Sequence, residues 1–190
     1  YIFITMTEYN LPDIQILNSS SNQAVYIWNP DNIYIVLGRS NSSEDSVNLD
    51  AAIKDGVNII KRPTGGESVV LSPNMLVFSA KIDHKNSQKP IEVFNKINKH
   101  LITQLTNIGI KNLNSKGISD LSIGEKKILG SSMMLKDNIF FYHAVLNINE
   151  DPSIISKYLK HPKKEPDYRK GREHKQFVTS LELAGYNIDK

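Results

Sequence analysis

The chain of 190 residues contains no cysteine. That excludes disulfides, thiolate metal sites and a cysteine nucleophile, and with the last of these any acyl-thioester intermediate on this chain. No apolar run approaches the roughly 18 residues that a membrane-spanning helix needs. The opening Tyr1-Ile2-Phe3-Ile4-Thr5 lacks the basic start and cleavage site of a signal peptide, so the expectation is a cytoplasmic protein with no membrane association. Charge of one sign is also scarce. A formal charge of +3, from 23 Lys and Arg against 20 Asp and Glu, provides no basic face for nucleic acid.

A hydrophobic fraction of 39% and a charged fraction of 23% suit an ordinary globular protein. The length allows a single domain over residues 1–190 with a sizeable core. The stretch around which the rest is organised is Lys61-Arg62-Pro63-Thr64-Gly65-Gly66-Glu67-Ser68-Val69-Val70. Strand-like residues precede and follow it, so Gly65-Gly66 falls at a sharp turn whose amides, beside Arg62, can cradle an anion. An ordinary hairpin is the plainer alternative.

Residues 24–28 and 33–38 are β-branched and aromatic, with Asn29-Pro30-Asp31-Asn32 between them, and predict a hairpin. Residues 48–55 predict a short helix closed by Gly56, and 75–82 a strand buried on both faces. Val93, Phe94, Ile97, Leu101, Leu105 and Ile108 recur at three- and four-residue spacing, with Pro90 at the start and Gly109 past the end, which predicts a helix covering one sheet face. Strands follow over 118–123, 128–135 and 139–148, then a short helix over 150–159. Residues 160–175 are basic and contain two prolines, which predicts a surface loop; Thr179-Ser180-Leu181-Glu182 has capping-box spacing and predicts a final short helix. The expected fold is α+β, with a central mixed, largely antiparallel sheet and covering helices.

A second segment, Gly124-Glu125-Lys126-Lys127-Ile128-Leu129-Gly130-Ser131-Ser132, carries two lysines on a glycine-flanked strand. Alternation sends Lys126 and Lys127 to opposite faces, so only one enters a site. Each of these residues also has a plainer reading: a solvated lysine, a satisfied strand histidine at His143, and core packing for Val77 and Phe78.

The order of these segments resembles the lipoate-protein ligase and octanoyltransferase family, within the wider biotin and lipoate ligase fold. The family loop reads Arg-Arg-x-Ser/Thr-Gly-Gly-Gly-Ala-Val, then a run ending Asn-Leu-x-Phe-Ser. Here Lys61 to Val69 leads into Leu76-Val77-Phe78-Ser79. Ser119-Asp120-Leu121, followed by residues 124–132, resembles the family's Asn-Asp-Leu and Gly-Lys/Arg-Lys segments; Tyr142-His143-Ala144-Val145-Leu146 and Gly38-Arg39-Ser40-Asn41 look like two more. Phe177-Val178-Thr179-Ser180-Leu181 is similar to the closing Val-Thr-Asn-Leu. Departures are Glu67 for the third glycine, Leu71-Ser72 for His-Asp and Met75 for Asn. The expectation is no counterpart of the family's early helix before Ala24, and none of the extra C-terminal domain of larger ligases in the residues after Leu181.

The resemblance implies ATP and lipoate as substrates with Mg²⁺, and an acyl-adenylate passed to a lysine of a lipoyl-acceptor domain of the 2-oxoacid dehydrogenase E2 or glycine-cleavage H protein type. It makes Lys127 the catalytic cation. It assigns Arg62, Gly65, Gly66, Glu67, Ser68, Val69 and Val70 to the adenylate, with Arg39, Val77, Phe78, Asp120, Gly130 and His143 lining the substrate. Lys163, Lys164, Arg169, Arg172 and Lys175 could meet an acidic acceptor domain, with a solvated loop as the plainer reading. No protein-bound metal is implied. Alternatives are a lipoyltransferase fed with preformed lipoyl-adenylate, a chain that needs a separate accessory subunit, and a non-catalytic module that binds a lipoyl domain.

Overall fold

The structure is a computed structural model and describes residues 7–21, 23–84 and 88–187; the opening residues read for a leader signal lie outside them. The chain begins with β1 (Thr7–Glu8), α1 (Ile14–Leu17), β2 (Ala24–Trp28), β3 (Tyr34–Leu37), α2 (Ser43–Ser46) and α3 (Leu49–Lys54). It continues through β4 (Asn58–Lys61), β5 (Val69–Leu71), β6 (Met75–Asp83) and the long α4 (Pro90–Asn107). Then come β7 (Leu113–Lys116), β8 (Asp120–Ile123), β9 (Lys126–Lys136), β10 (Ile139–Asn147), α5 (Ser153–Tyr158), a 3-10 turn (Asp167–Arg169) and α6 (His174–Phe177).

The strands form two sheets. The larger has six strands in the order β2-β6-β10-β9-β8-β7, antiparallel throughout; the smaller has the order β1-β4-β3-β5 and is mixed. Strand alternation explains how they stack. On β10, Tyr142, Ala144 and Leu146 pack under Phe94, Ile97 and Leu101 of α4, while Val145 turns to the other face, where it meets Val36, Ile60 and Leu71 of the small sheet. The far side of the small sheet, through Ile35, Leu37 and Ile59, packs on Ala52, Tyr158 and Leu159. The layers are therefore helix, sheet, sheet and helices, an α+β architecture. The site lies between the two sheets.

α4 forms as its spacing predicts: Pro90 occupies the first turn, Glu92 caps the Lys89 amide at 3.2 Å, and Gly109 follows with φ +97°. Four expectations are corrected. Residues 24–28 and 33–38 are not a hairpin: β2 pairs with β6, whereas β3 lies between β4 and β5. The physical reason is that Ile35, Val36 and Leu37 are all buried, which requires sheet and helices on both sides of β3. The strand expected over 118–123 begins only at Asp120, because residues 117–119 form a turn, with Gly117 at φ +57°, that joins it to β7 as an added edge strand. Residues 160–175 are not a plain surface loop, because Arg169 and His174 are buried and Arg169 stacks on Phe177 at 4.9 Å. The capping-box residues do not open a helix: the Ser180 hydroxyl accepts from the Leu183 amide at 3.2 Å, but the chain turns once and leaves at Gly185, whose φ is +92°.

Candidate active site

Because β4 and β5 flank β3 on opposite sides, the loop between them must cross the end of β3. Two backbone bonds pin the crossing, Arg62 N to Leu37 O at 3.0 Å and Arg39 N to Thr64 O at 2.9 Å. A Cβ at Gly38 would stand 1.9 Å from the Gly66 carbonyl oxygen, so the loop lies directly on that glycine. Gly66 itself has φ +83°. Among the described residues, the amides of Gly65, Gly66, Glu67 and Ser68 have no hydrogen-bond partner.

Arg62 does not reach outward from the loop. It is 5% exposed, and its guanidinium donates to Gly65 O (2.6 Å), Glu67 O (2.8 Å), Val36 O (3.3 Å) and Thr64 Oγ1 (3.0 Å). Burial lowers its pKa to about 10, which leaves it cationic at neutral pH. The expected grip on phosphate is corrected to an internal tie, since the carbonyls turned inward by the crossing need donors. Ser132 of β9 adds a bond to Gly65 O at 2.7 Å, which fixes the loop to the second segment.

In that segment a bulge shifts the register between Leu121 and Ser122, so that Leu121 faces Leu129 while Ser122 faces Lys127. Strict alternation would put Lys127 and Gly130 on opposite faces; the extra residue puts them on one. Lys127 then folds back across Gly130, where a Cβ would stand 2.7 Å from Nζ. Its Nζ lies 2.8 Å from Asp120 Oδ1. Asp120 Oδ2 accepts from Tyr168 Oη at 2.8 Å, and Tyr168 packs on Phe177 at 5.0 Å. Burial, with the Asp120 charge adding to it, pushes the Tyr168 phenol well above its usual pKa and keeps it a donor. Lys126 is exposed and does not line the cavity.

A buried polar chain runs behind the loop. Thr64 Oγ1 lies 2.6 Å from His143 Nε2, and His143 Nδ1 faces Asp13 Oδ2 at 3.5 Å. Asp13, fully buried, also accepts from Ser79 Oγ and Tyr9 Oη, both at 2.7 Å. Burial raises the Asp13 pKa, but the bonds from His143, Ser79 and Tyr9 prevail and hold it below the usual range. Burial lowers that of His143.

Several of these groups line one cavity of about 1050 Å³, while Thr64, Asp13 and Ser79 stand behind its wall. Gly66, Glu67, Ser68, Lys127, Asp120 and Gly130 lie along it, as do Tyr9, Arg62 and His143. Apolar walls come from Val69, Val70, Leu71, Met75, Val77 and Val145, and residues 161–169 close one side. Three expected members lie elsewhere. Phe78 points to α4 and Tyr142 because it alternates with Val77 (ring centroids 5.4 Å); Arg39 is exposed and contributes only its backbone; and Gly65 is turned in as an acceptor. Arg169, buried at 4%, cannot face an acceptor domain, and Lys163 pairs with Asp45 at 2.8 Å. Glu67 is half-buried, with its carboxylate 3.5 Å from the Asn41 amide.

Asp13, Tyr9 and Tyr168 lie outside the two glycine-bearing segments the sequence points to, and Thr64 and Ser132 lie inside them with no role assigned from sequence. A lone acid within Leu11-Pro12-Asp13-Ile14-Gln15-Ile16-Leu17 is the one available signal for Asp13. No group of three or more His, Cys, Asp or Glu able to hold a metal occurs among the described residues, and no helix there is long and apolar enough to cross a membrane.

Comparison with known proteins adds a family match over residues 6–189, described as the lipoyl protein ligase A/B catalytic domain. Lipoate–protein ligase 1 of Staphylococcus aureus is 24% identical over 157 residues, covering 83% of this chain and 45% of that protein. A structure described as a bi-partite lipoate protein ligase with its E2 lipoyl domain from Thermoplasma acidophilum superposes with a TM-score of 0.76 at 21% identity, over 90% of this chain and 66% of that one. One described as lipoate-protein ligase A bound with ATP gives 0.73 at 20%, over 89% and 68%. At these identities the structural likeness establishes the fold. The chain spans about half the length of the curated relatives it matches.

Proposed function

The chain belongs to the lipoyl protein ligase A/B catalytic domain family, and from that premise we propose that it activates lipoate with ATP and transfers the acyl group to a lysine of a lipoyl-acceptor domain. The observation that carries this reading is the Lys127–Asp120 pair, 2.8 Å across Gly130, in the same cavity as the unpartnered amides of Gly66 and Ser68. In the first half-reaction the lipoate carboxylate attacks the α-phosphorus of ATP and pyrophosphate leaves. In the second, the acceptor amine attacks the acyl carbonyl, loses its proton and expels AMP. Both steps gather negative charge on phosphate and carbonyl oxygens, which a fixed cation and convergent amides stabilise.

Lys127 supplies that cation, and Asp120 with Tyr168 aims it. The Gly66–Ser68 amides receive the phosphate, and Arg62 keeps them in place from behind. Val77, Val145, Leu71 and Met75 line the acyl chain. ATP enters as its Mg²⁺ salt. The acceptor is of the E2 or H protein type, and the activity is cytoplasmic. The Asn41 amide draws the Glu67 carboxylate aside, which eases its repulsion of phosphate.

A second reading has the same cavity use lipoyl-adenylate made with the help of an accessory chain. What favours it is Glu67, an anion in the anion-receiving loop. To separate the two, the protein is incubated with an acceptor domain and either ATP, Mg²⁺ and lipoate or preformed lipoyl-adenylate, and the acceptor is weighed by intact-protein mass spectrometry. Lipoylation in both tubes is expected. Lipoylation from lipoyl-adenylate alone selects the second reading, and none in either tube leaves a lipoyl-domain binding module.

A further inference from the structure

The buried chain behind the loop has a direction. Arg62 Nε donates to Thr64 Oγ1, so that oxygen's own proton is free to go to His143 Nε2, which must then accept it. His143 Nδ1 faces the Asp13 carboxylate, which can only accept, so the ring proton belongs on Nδ1. The opposite tautomer would turn a lone pair toward Asp13 and leave the Thr64 hydroxyl accepting twice with nowhere to donate inside a buried site. Asp13 in turn is held from outside the loop: Ser79 and Tyr9 bind it, and Lys81 caps the end of α1 through Leu17 O (3.2 Å) and Ser19 O (2.7 Å).

We propose that His143 is a positioning residue: its Nδ1–H tautomer, imposed by Asp13, sets the Thr64 hydroxyl and through it the Arg62 guanidinium that shapes the Gly65–Gly66 turn. His143 and Asp13 lie 79 and 51 positions from the loop's Thr64, yet buried side chains connect them, at 2.6 Å from Thr64 to His143 and 3.5 Å from His143 to Asp13. Gly66 and Ser68 line the cavity, their amides have no hydrogen-bond partner among the described residues, and the turn that carries them is braced by this chain. A misplacement of the order of 1 Å in such a site is enough to cost about a hundredfold in rate. The inference deepens the ligase reading but relies on it for the nucleotide measurement alone.

The test is solution NMR on the full chain, reading the His143 ring nitrogens and the Gly65 and Gly66 amide resonances, together with calorimetric ATP affinity. Wild type is expected to show the Nδ1–H tautomer. Asp13→Asn, which can donate to Nδ1, should move the proton to Nε2, shift the Gly65 and Gly66 resonances and weaken ATP binding by about tenfold or more. Thr64→Val should shift the same resonances while His143 stays Nδ1–H, and Thr64→Ser should restore them, which keeps the test decisive where Asp13→Asn fails to fold. An Nε2–H tautomer in wild type, or Gly65 and Gly66 resonances unmoved by Thr64→Val, overturns the proposal. Absence of ATP binding in wild type counts against the ligase reading, while the tautomer and loop resonances still decide this one.

Discussion

Lys127 Nζ and Asp120 Oδ1 stand 2.8 Å apart because β9 carries one residue too many: the bulge at Ile128 turns Lys127 onto the face of Gly130 and Asp120. A side chain laid over a strand glycine can be displaced without touching the core, so the pair can be perturbed with the fold intact.

Gly130→Ala puts a methyl group 2.7 Å from Lys127 Nζ and 2.8 Å from Cε. The neighbour is the far end of a flexible side chain, so thermal stability should change little while acyl transfer falls by about a hundredfold. A loss of activity matched by a large fall in Tm would count against this account of Gly130.

Tyr168→Phe removes the second partner of Asp120 and leaves the ring stacking on Phe177. Acyl transfer should drop by about tenfold, about the worth of one hydrogen bond to a charged group. Nucleotide affinity should hold, so kcat moves and KM for ATP does not; steady-state kinetics of the purified variant decide it.

Gly38→Ala places Cβ 1.9 Å from a backbone oxygen, where no side chain can yield. The crossing loop must lift, at a cost of about 1–3 kcal/mol typical of overpacking. A lowered Tm with weakened ATP binding is the expected pair; an unchanged Tm would show that the loop does not rest on Gly38.

Stability should fall on mild acidification. Burial lowers the pKa of His143 and of His174, so the folded state keeps both neutral while the unfolded chain protonates them below about 6.5. Their contribution is lost as pH falls from that value. Asp13, held below its ordinary 3.8, adds a second loss only at stronger acidity, when pH falls through its folded pKa. Tm measured from pH 7.5 to 5 should decline, and less steeply in His143→Gln.

Much of this site was legible in the sequence. The two glycine-bearing segments, Lys127, Asp120 and His143 follow from motif order, and α4 from its periodicity. What was hidden depended on register and crossing. Strict alternation separates Lys127 from Gly130, and nothing in Lys126-Lys127-Ile128-Leu129-Gly130 announces the bulge that joins them. Arg62 reads as a free cation until the loop is seen to cross β3 and turn its carbonyls inward. Asp13 lies in a weakly patterned stretch, and its partner Ser79 is 66 residues away. Residues 160–175 read as a solvated loop because their buried members, Arg169 and His174, are polar and satisfied by π stacking and backbone carbonyls.

The most direct measurement is single-turnover transfer from preformed lipoyl-adenylate to an acceptor domain, wild type against Lys127→Ala, since both readings of the activity share that step. Loss of one charge-stabilising group should lower the rate constant by about 10²–10³ with the fold intact. Transfer by Lys127→Ala at the wild-type rate would contradict the assignment of this cavity as the active site.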